Sequence, residues 1–239
     1  MIKIMTWNTA LTEGSNPKDV IEYVKSFLNQ DNSIAVLQQI PYKDPDNNWE
    51  ISSTYNDFKE AFSDEKYTTK QNTDYNNGSI TMMTVVVTRM KNVSEIKKLT
   101  NREHLVQIGD LYTLYGLHLH PKKADNKQEL LALNDIDADI ILGDFNAGDY
   151  NVDDDEECQN RKVFCSILKD YVNLCNLPTR EERRKTVKGE KLVRKTCIDH
   201  VFVRRKFVTK CSELIVHEDI KISDHYPITF CIDNPSGDM

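Results

Sequence analysis

"DIILGDFN" (residues 139–146) decides how this chain is read. Ile140, Ile141 and Leu142 form an apolar strand, which then runs into a sharp polar loop at Gly143, Asp144 and Asn146. The same design recurs along the sequence. "IKIMTW" (2–7) leads to Asn8, and "IAVLQ" (34–38) runs on through "LQQ" (37–39) to Gln39. "SDHYP" (223–227) is a polar cluster set against a strand at about 226–232, and "CIDHVFV" (197–203) places Asp199 inside a strand. Strand ends converge at one rim of a sheet, so these side chains can meet in space although the chain spreads them widely.

Between these segments, apolar strands alternate with amphipathic helices. Asn16 and Pro17 open a helix as a cap and a first-turn proline do. Its apolar face is Val20, Ile21, Val24, Phe27 and Leu28. A polar loop of about twenty residues, holding Tyr42 and Trp49, is expected after the second strand. Strands are predicted at 79–88, 105–109 and 111–120, with Gly109-Asp110 as a hairpin turn. Helices are predicted at about 124–136 and 161–175, and further strands at about 192–203, 209–217 and 226–232. This α/β pattern implies one domain over residues 1–239, a sheet-on-sheet core covered outside by helices.

The composition, 39% hydrophobic and 29% charged over 239 residues, is that of a globular protein. No apolar run approaches the roughly 18–20 residues of a membrane span. The short apolar N-terminus does not read as a secretion signal, so a cytoplasmic address is expected. The six cysteines form no C-x-x-C pair and read as reduced, mostly buried thiols rather than bridges or zinc ligands.

The net charge of −7 hides an asymmetry. Residues 180–206 hold eleven Lys/Arg against four Asp/Glu, a local charge of +7 that leaves −14 on the remainder. Such a strip is either a face that meets a polyanion or a solvated hairpin. The acidic run "DYNVDDDEE" (149–157) reads as a solvated loop.

Seen alone, Asp144 is equally a turn former, Asp224 a cap and His118 a core histidine. As an ordered set, Asn8, "LQQ", "LHL", "GDFN", Asp199 and "SDH" resemble the endonuclease/exonuclease/phosphatase superfamily from Met5 to about Phe230. The resemblance implies a four-layer α/β sandwich. It also implies a Mg²⁺ cofactor, with Mn²⁺ as a substitute. Asn8, residue 39 and Asp224 would surround the metal. Asp144 would deprotonate the attacking water and Asn146 would orient it. His118 would contact the scissile phosphate or assist the leaving group. Asp199 would hold the catalytic His225. His200 follows Asp199, so strand alternation points it to the opposite face.

These residue types suit phosphodiester hydrolysis. The ester is shielded by its own negative charge, so its transition state needs fixed positive charge, a base for water and a protonated imidazole. Asp199 beside His225 would raise the histidine's pKa and fix its ring.

Position 39 departs from the pattern. Gln39 stands where the superfamily places a metal-binding glutamate, and an amide keeps the reach of that group without its charge. One explanation is a weak or dead relative that binds without cutting. The other is a deliberate glutamate-to-glutamine change that traps substrate. The survival of Asp144, Asn146, Asp199, Asp224 and His225 favours the second.

The expected substrate is nucleic acid or a nucleotide-derived phosphodiester, acted on by a monomer with no membrane partner. Arg183, Arg184 and Lys185 would grip flanking phosphates. Tyr42, with Trp49, would stack a base, or simply pack. A phosphomonoesterase or lipid phosphodiesterase of the same superfamily is the enzyme alternative. A nucleic-acid-binding pseudoenzyme is the other.

Overall fold

The structure is a computed structural model that describes residues 1–98, 100–149, 155–185, 191–212 and 214–233. Within them, the side chains of residues 97–98, 149, 155–159, 161, 183–185 and 191–192 fall outside the description.

The strands are β1 (Ile2–Asn8), β2 (Ser33–Pro41), β3 (Lys43–Asp44), β4 (Glu50–Ile51), β5 (Thr68–Lys70), β6 (Met82–Thr88), β7 (Val93–Lys98) and β8 (Glu103–Ile108). They continue as β9 (Tyr112–His118), β10 (Ile140–Asp149), β11 (Tyr171–Asn173), β12 (Arg180–Lys185), β13 (Lys191–Arg204), β14 (Ile215–Val216) and β15 (Ile228–Ile232). The α-helices are α1 (Pro17–Phe27), α2 (Ser53–Ala61), α3 (Lys123–Ala132) and α4 (Asp155–Ser166). One sheet has the order β14-β15-β1-β2-β6-β5. The other has the order β11-β13-β10-β9-β8-β7, with β12 paired to β13.

Side-chain alternation builds the layers. Ile2, Ile4, Ile34 and Val36 face inward and meet Leu114, Ile140, Leu142 and Val201 from the opposite sheet. Their neighbours Met5, Trp7, Ala35 and Leu37 face outward under α1 and α2, against Val20, Val24 and Phe58. Tyr115, Leu117, Ile141 and Phe145 do the same under α3 and α4, against Leu130 and Phe164. Both faces of the central strands are therefore buried, which explains their unbroken apolar runs. Each such aliphatic side chain contributes about 1.5–3 kcal/mol. The order helix, sheet, sheet, helix is the expected four-layer sandwich. Gly116 marks a close approach of the sheets, since a Cβ there would lie 2.5 Å from Val36 Cγ1.

Several local expectations need correction. The long polar loop after β2 contains the β3–β4 hairpin and α2. The helix expected at 161–175 ends at Ser166. Val163, Phe164, Ile167, Leu168 and Tyr171 keep helical spacing, yet Leu168 is left-handed at φ 54° and Tyr171 begins a strand paired with β13. Of the segment 209–217, the first two residues end a 3₁₀ turn (Arg205–Lys210), Cys211 makes an isolated bridge to Ile232, and only Ile215–Val216 form a strand. Asn16 caps α1 through its side chain to the Lys18 N–H, worth about 1 kcal/mol. Among the described cysteines none is bridged. Cys175 and Cys197 are buried, Cys211 and Cys231 half-buried and Cys165 exposed, so burial is less general than expected. Part of the acidic run (150–154) lies outside the described residues. Among the described residues no helix is long and apolar enough to cross a membrane.

Candidate active site

Topology assembles the site. β1 and β2 are parallel, as are β9 and β10, so the C-terminal ends of each pair share a rim. β13 runs antiparallel to β10 with Asp199 opposite Asp144. β15 runs antiparallel to β1, which brings the 223–225 segment that precedes it to the same end.

Two polar strand ends carry bulges. The β2–β6 register slips between Leu37 and Ile40, and the β10–β13 register between Asp144 and Asp149. Each holds a non-glycine residue in the left-handed region, Gln39 at φ 57° and Asn146 at φ 45°. Such backbone costs about 1–3 kcal/mol, and bulges of this kind re-aim side chains beside sites. Gly143 makes the approach possible. Its φ is 139°, and a Cβ there would stand 2.0 Å from the Leu117 carbonyl oxygen.

Asp144 is fully enclosed. Asn8 Nδ2 donates to its Oδ2 at 2.8 Å, and the Asn146 backbone N–H donates to its Oδ1 at 2.8 Å. Asn8 is itself fixed by the Ala10 N–H at 3.1 Å. Burial, then the charge of Asp199, raise the Asp144 carboxyl to about 6, against the pull of His225 and the two hydrogen bonds.

His225 Nδ1 meets Asp199 Oδ2 at 2.8 Å and Oδ1 at 3.0 Å. Thr179 Oγ1 donates to the same Asp199 Oδ2 at 2.7 Å. Trp7 Nε1 and Ser223 Oγ secure the His225 backbone on either side, at 3.0 and 3.1 Å. Burial alone would lower His225. The Asp199 charge and hydrogen bond, then Asp144 and Asp224, overcome burial and raise the imidazole to about 9. Asp144, Asp199 and His225 offer ligand-type atoms within 4.8 Å of one another.

His118 Nε2 lies 3.6 Å from Asp144 Oδ2, beyond hydrogen-bond reach. Its Nδ1 is buried without a partner. Burial and then Arg102 hold it well below the usual histidine range, so it is neutral. As strand alternation anticipates, His200 faces away. Its Nε2 is 3.0 Å from the Ala147 carbonyl, and its ring lies against Phe164.

A cleft of about 350 Å³ opens onto this group, lined by Gln39, His118, His120, Asp144, Asn146 and His225. Arg102, Arg180 and Glu13 complete its polar wall, and sequence reading had singled out none of them. Arg180 begins the basic strip, which was a usable signal. Glu13, in a 3₁₀ turn (Leu11–Glu13), had none.

Gln39 is held by both ends of its amide. Thr12 Oγ1 donates to its Oε1 at 3.0 Å, and its Nε2 donates to Glu13 Oε1 at 3.0 Å. Asp224 is set apart from Asp144 and receives Arg180 Nε at 2.7 Å, with Oδ1 4.0 Å from His225 Nε2. Tyr42 is not brought to the cleft. It packs edge-on against Tyr55 at 5.1 Å, where its ring fills the layer beneath α2. Trp49 is exposed on the β3–β4 turn. The side chains of Arg183, Arg184 and Lys185 lie outside the description, although their backbone continues β12.

The fold and rim define the class of structure: a two-sheet α/β sandwich with a carboxylate–imidazole site at the strand ends. Among known structures this is the endonuclease/exonuclease/phosphatase fold. Neither a protein-family model nor a curated protein sequence matches the chain. Solved structures do. A 3′ phosphatase NExo from Neisseria, bound to a product DNA hairpin, aligns with TM-score 0.67 and 18% identity over 98% of this chain and 100% of that one. An AP endonuclease from Archaeoglobus fulgidus gives 0.65 and 13% over 98% and 100%. An endonuclease/exonuclease/phosphatase family protein from Bacteroides thetaiotaomicron gives 0.61 and 13% over 96% and 93%.

The donors suit a hard divalent cation by type, because Asp144, Asp224 and Glu13 are carboxylates and Asn8 and Gln39 carry amide carbonyls. They suit it less well in charge, since residue 39 is neutral and Asp224 already holds a guanidinium.

Proposed function

We propose that this chain is a metal-dependent phosphodiesterase acting on nucleic acid or a nucleotide-derived phosphodiester. One observation carries the reading: a buried carboxylate raised to about 6 stands beside an imidazole raised to about 9, in one cleft. Those are the protonation properties of a base and a cation that operate together near neutral pH. The fold neighbours support it, since NExo is a phosphatase bound to DNA product and the Archaeoglobus protein an AP endonuclease.

In this reading Asp144 takes a proton from the water that attacks phosphorus. Asn8 and the Asn146 N–H hold the carboxylate still, and Asn146 Oδ1 orients the water. The Asn146 amide is anchored by Nδ2 to the Leu119 carbonyl at 3.0 Å. Asp199 occupies His225 Nδ1, which leaves the Nε2–H to meet the phosphoryl oxygens as charge builds there. His118, neutral, contributes a hydrogen bond rather than a charge. A divalent cation held by Asp224, Asn8, Gln39 and Glu13 would add positive charge on a non-bridging oxygen. Mg²⁺ is the favoured ion and Mn²⁺ the substitute.

Gln39 favours a second reading, in which this form binds substrate and turns it over slowly or not at all. A cleavage panel of single- and double-stranded DNA, RNA, cyclic and capped nucleotides and inositol phosphates, with Mg²⁺ or EDTA, tests both. Metal-dependent cleavage that disappears in Asp144→Asn supports the enzyme. Silence across the panel in both the present sequence and Gln39→Glu leaves the binder. Charge reversal at Arg183, Arg184 and Lys185 should impair polymer cleavage and spare a small chromogenic diester. Equal loss on both would remove their gripping role.

A further inference from the structure

Arg180 stands where two parts of the site join. Its backbone bridges His225, the Glu181 N–H donates to the Asp224 carbonyl at 2.8 Å, and the Tyr226 N–H donates to the Thr179 carbonyl at 2.7 Å. The start of β12 is thus stitched to the segment that carries the catalytic imidazole, and Thr179, one residue earlier, grips Asp199. Arg180 cannot shift without moving His225.

Its guanidinium is both anchored and available. A guanidinium carries five N–H donors in a planar fork, and Nε spends one of them on Asp224 Oδ2 at 2.7 Å. Among the described residues Asp224 is its one ion-pair partner. The Nη edge therefore retains the paired donors that fit two oxygens of a phosphate. Arg180 lines the catalytic cleft, and together with Glu13 it also lines the adjoining cavity of about 540 Å³. A phosphoester in the cleft meets this edge directly.

Position 39 bears on the same balance. A glutamate there would set a second carboxylate against Glu13, where the Gln39 amide now donates, and would oppose any phosphate in the cleft. With an amide at 39 and Arg180 on Asp224, the rim already carries the cation an anion needs. We propose that Arg180, held in place by Asp224, is the cleft's own phosphate-binding residue, and that it allows the chain to bind a phosphodiester without a divalent metal. The proposal rests on the phosphodiester reading above and specifies how that substrate is held.

The test measures binding, not turnover. Anisotropy of a fluorescein-labelled single-stranded oligonucleotide, and its competition by the p-nitrophenyl ester of thymidine 5′-monophosphate, are measured in EDTA and in Mg²⁺. The present sequence is compared with Arg180→Ala and Arg180→Lys, each checked for unchanged thermal unfolding. The expected result is an affinity in EDTA within about threefold of that in Mg²⁺. Arg180→Ala should weaken both probes at least about tenfold, the loss of a charge-assisted pair. Arg180→Lys should recover part of the loss through charge without the fork. Equal affinities of Arg180→Ala and the parent would overturn the assignment while leaving the phosphodiester reading intact. Binding by the parent that vanishes in EDTA would overturn the metal-free part. Failure of either probe to bind under any condition would remove both the inference and the reading beneath it.

Discussion

The rim has two halves built on opposite principles. On one, Asp144, Asp199 and His225 are each at most 3% exposed, and protein donors engage both carboxylates. On the other, Arg180 and Asp224 are about a quarter exposed, and Glu13 lies in the open. Burial and charge separate two of these groups from their ordinary ranges: desolvation raises the Asp144 carboxyl, while at His225 burial is outweighed by the Asp199 charge and hydrogen bond. Exposure is what lets the second half exchange partners with an arriving anion or cation. In the proposed reading, handling a proton and capturing a charged ligand ask for opposite environments, and the fold sets the two side by side.

The sharpest way to break this comparison is to empty the buried half. Asp144→Asn should lower hydrolysis by about 10²–10⁴-fold, the usual contribution of a general base. It should also raise the melting temperature at pH 8, where the buried charge opposes folding, and change it little at pH 4. A variant that melted alike at both pH values would mean the carboxyl is not raised.

Asp199→Asn comes next. Activity of the parent should follow a bell, rising with the deprotonation of Asp144 near 6 and falling with that of His225 near 9. Removing the Asp199 charge should draw the alkaline limb down toward ordinary histidine values and lower the maximum about 10²-fold. An alkaline limb that stayed near 9 would assign it to another group. The stability linkage runs in one direction for both residues. Each folded-state pKa is raised, so the folded form holds more protons. The Asp144 contribution is complete below its usual 3.8 and lost as pH rises through about 6. That of His225 is complete below 6.5 and lost through about 9. Thermal melts between pH 4 and pH 9 should show the decline.

Gln39→Glu probes the open half. In EDTA it should lower the melting temperature, because two carboxylates then face each other where Nε2 now donates to Glu13. Mg²⁺ should restore the loss and raise hydrolysis by an order of magnitude or more. A variant indifferent to Mg²⁺ would show that residue 39 does not face a cation. Smallest is Tyr42→Leu, which should leave kcat/KM unchanged and cost about 1 kcal/mol or more of stability through lost ring packing on Tyr55. A rise in KM without loss of stability would return Tyr42 to the substrate.

Much of this was legible before any coordinates. Apolar runs such as "IKIMTW" and "DIILG" need burial on both faces, and only a stacked sheet covered by helices provides it. Polar residues ending those runs can gather at one rim, and it was the superfamily resemblance that picked out Asn8, Asp144, Asp199 and His225 among them. The helix expected through Tyr171 shows the limit, because helical spacing persists there although Leu168 turns left-handed and stops the helix. Glu13 was out of reach, and Arg180 was marked only as the first residue of the basic strip, for a related reason. They sit on a short turn and at the start of a rim strand, where no periodic pattern constrains a charge and partners are set by which segments cross nearby. Sequence by itself determined the layers, because burial imposes a repeating chemical signature. Only tertiary structure decided which exposed charges share the cleft, since solvent accepts a charge equally well at many positions along the chain.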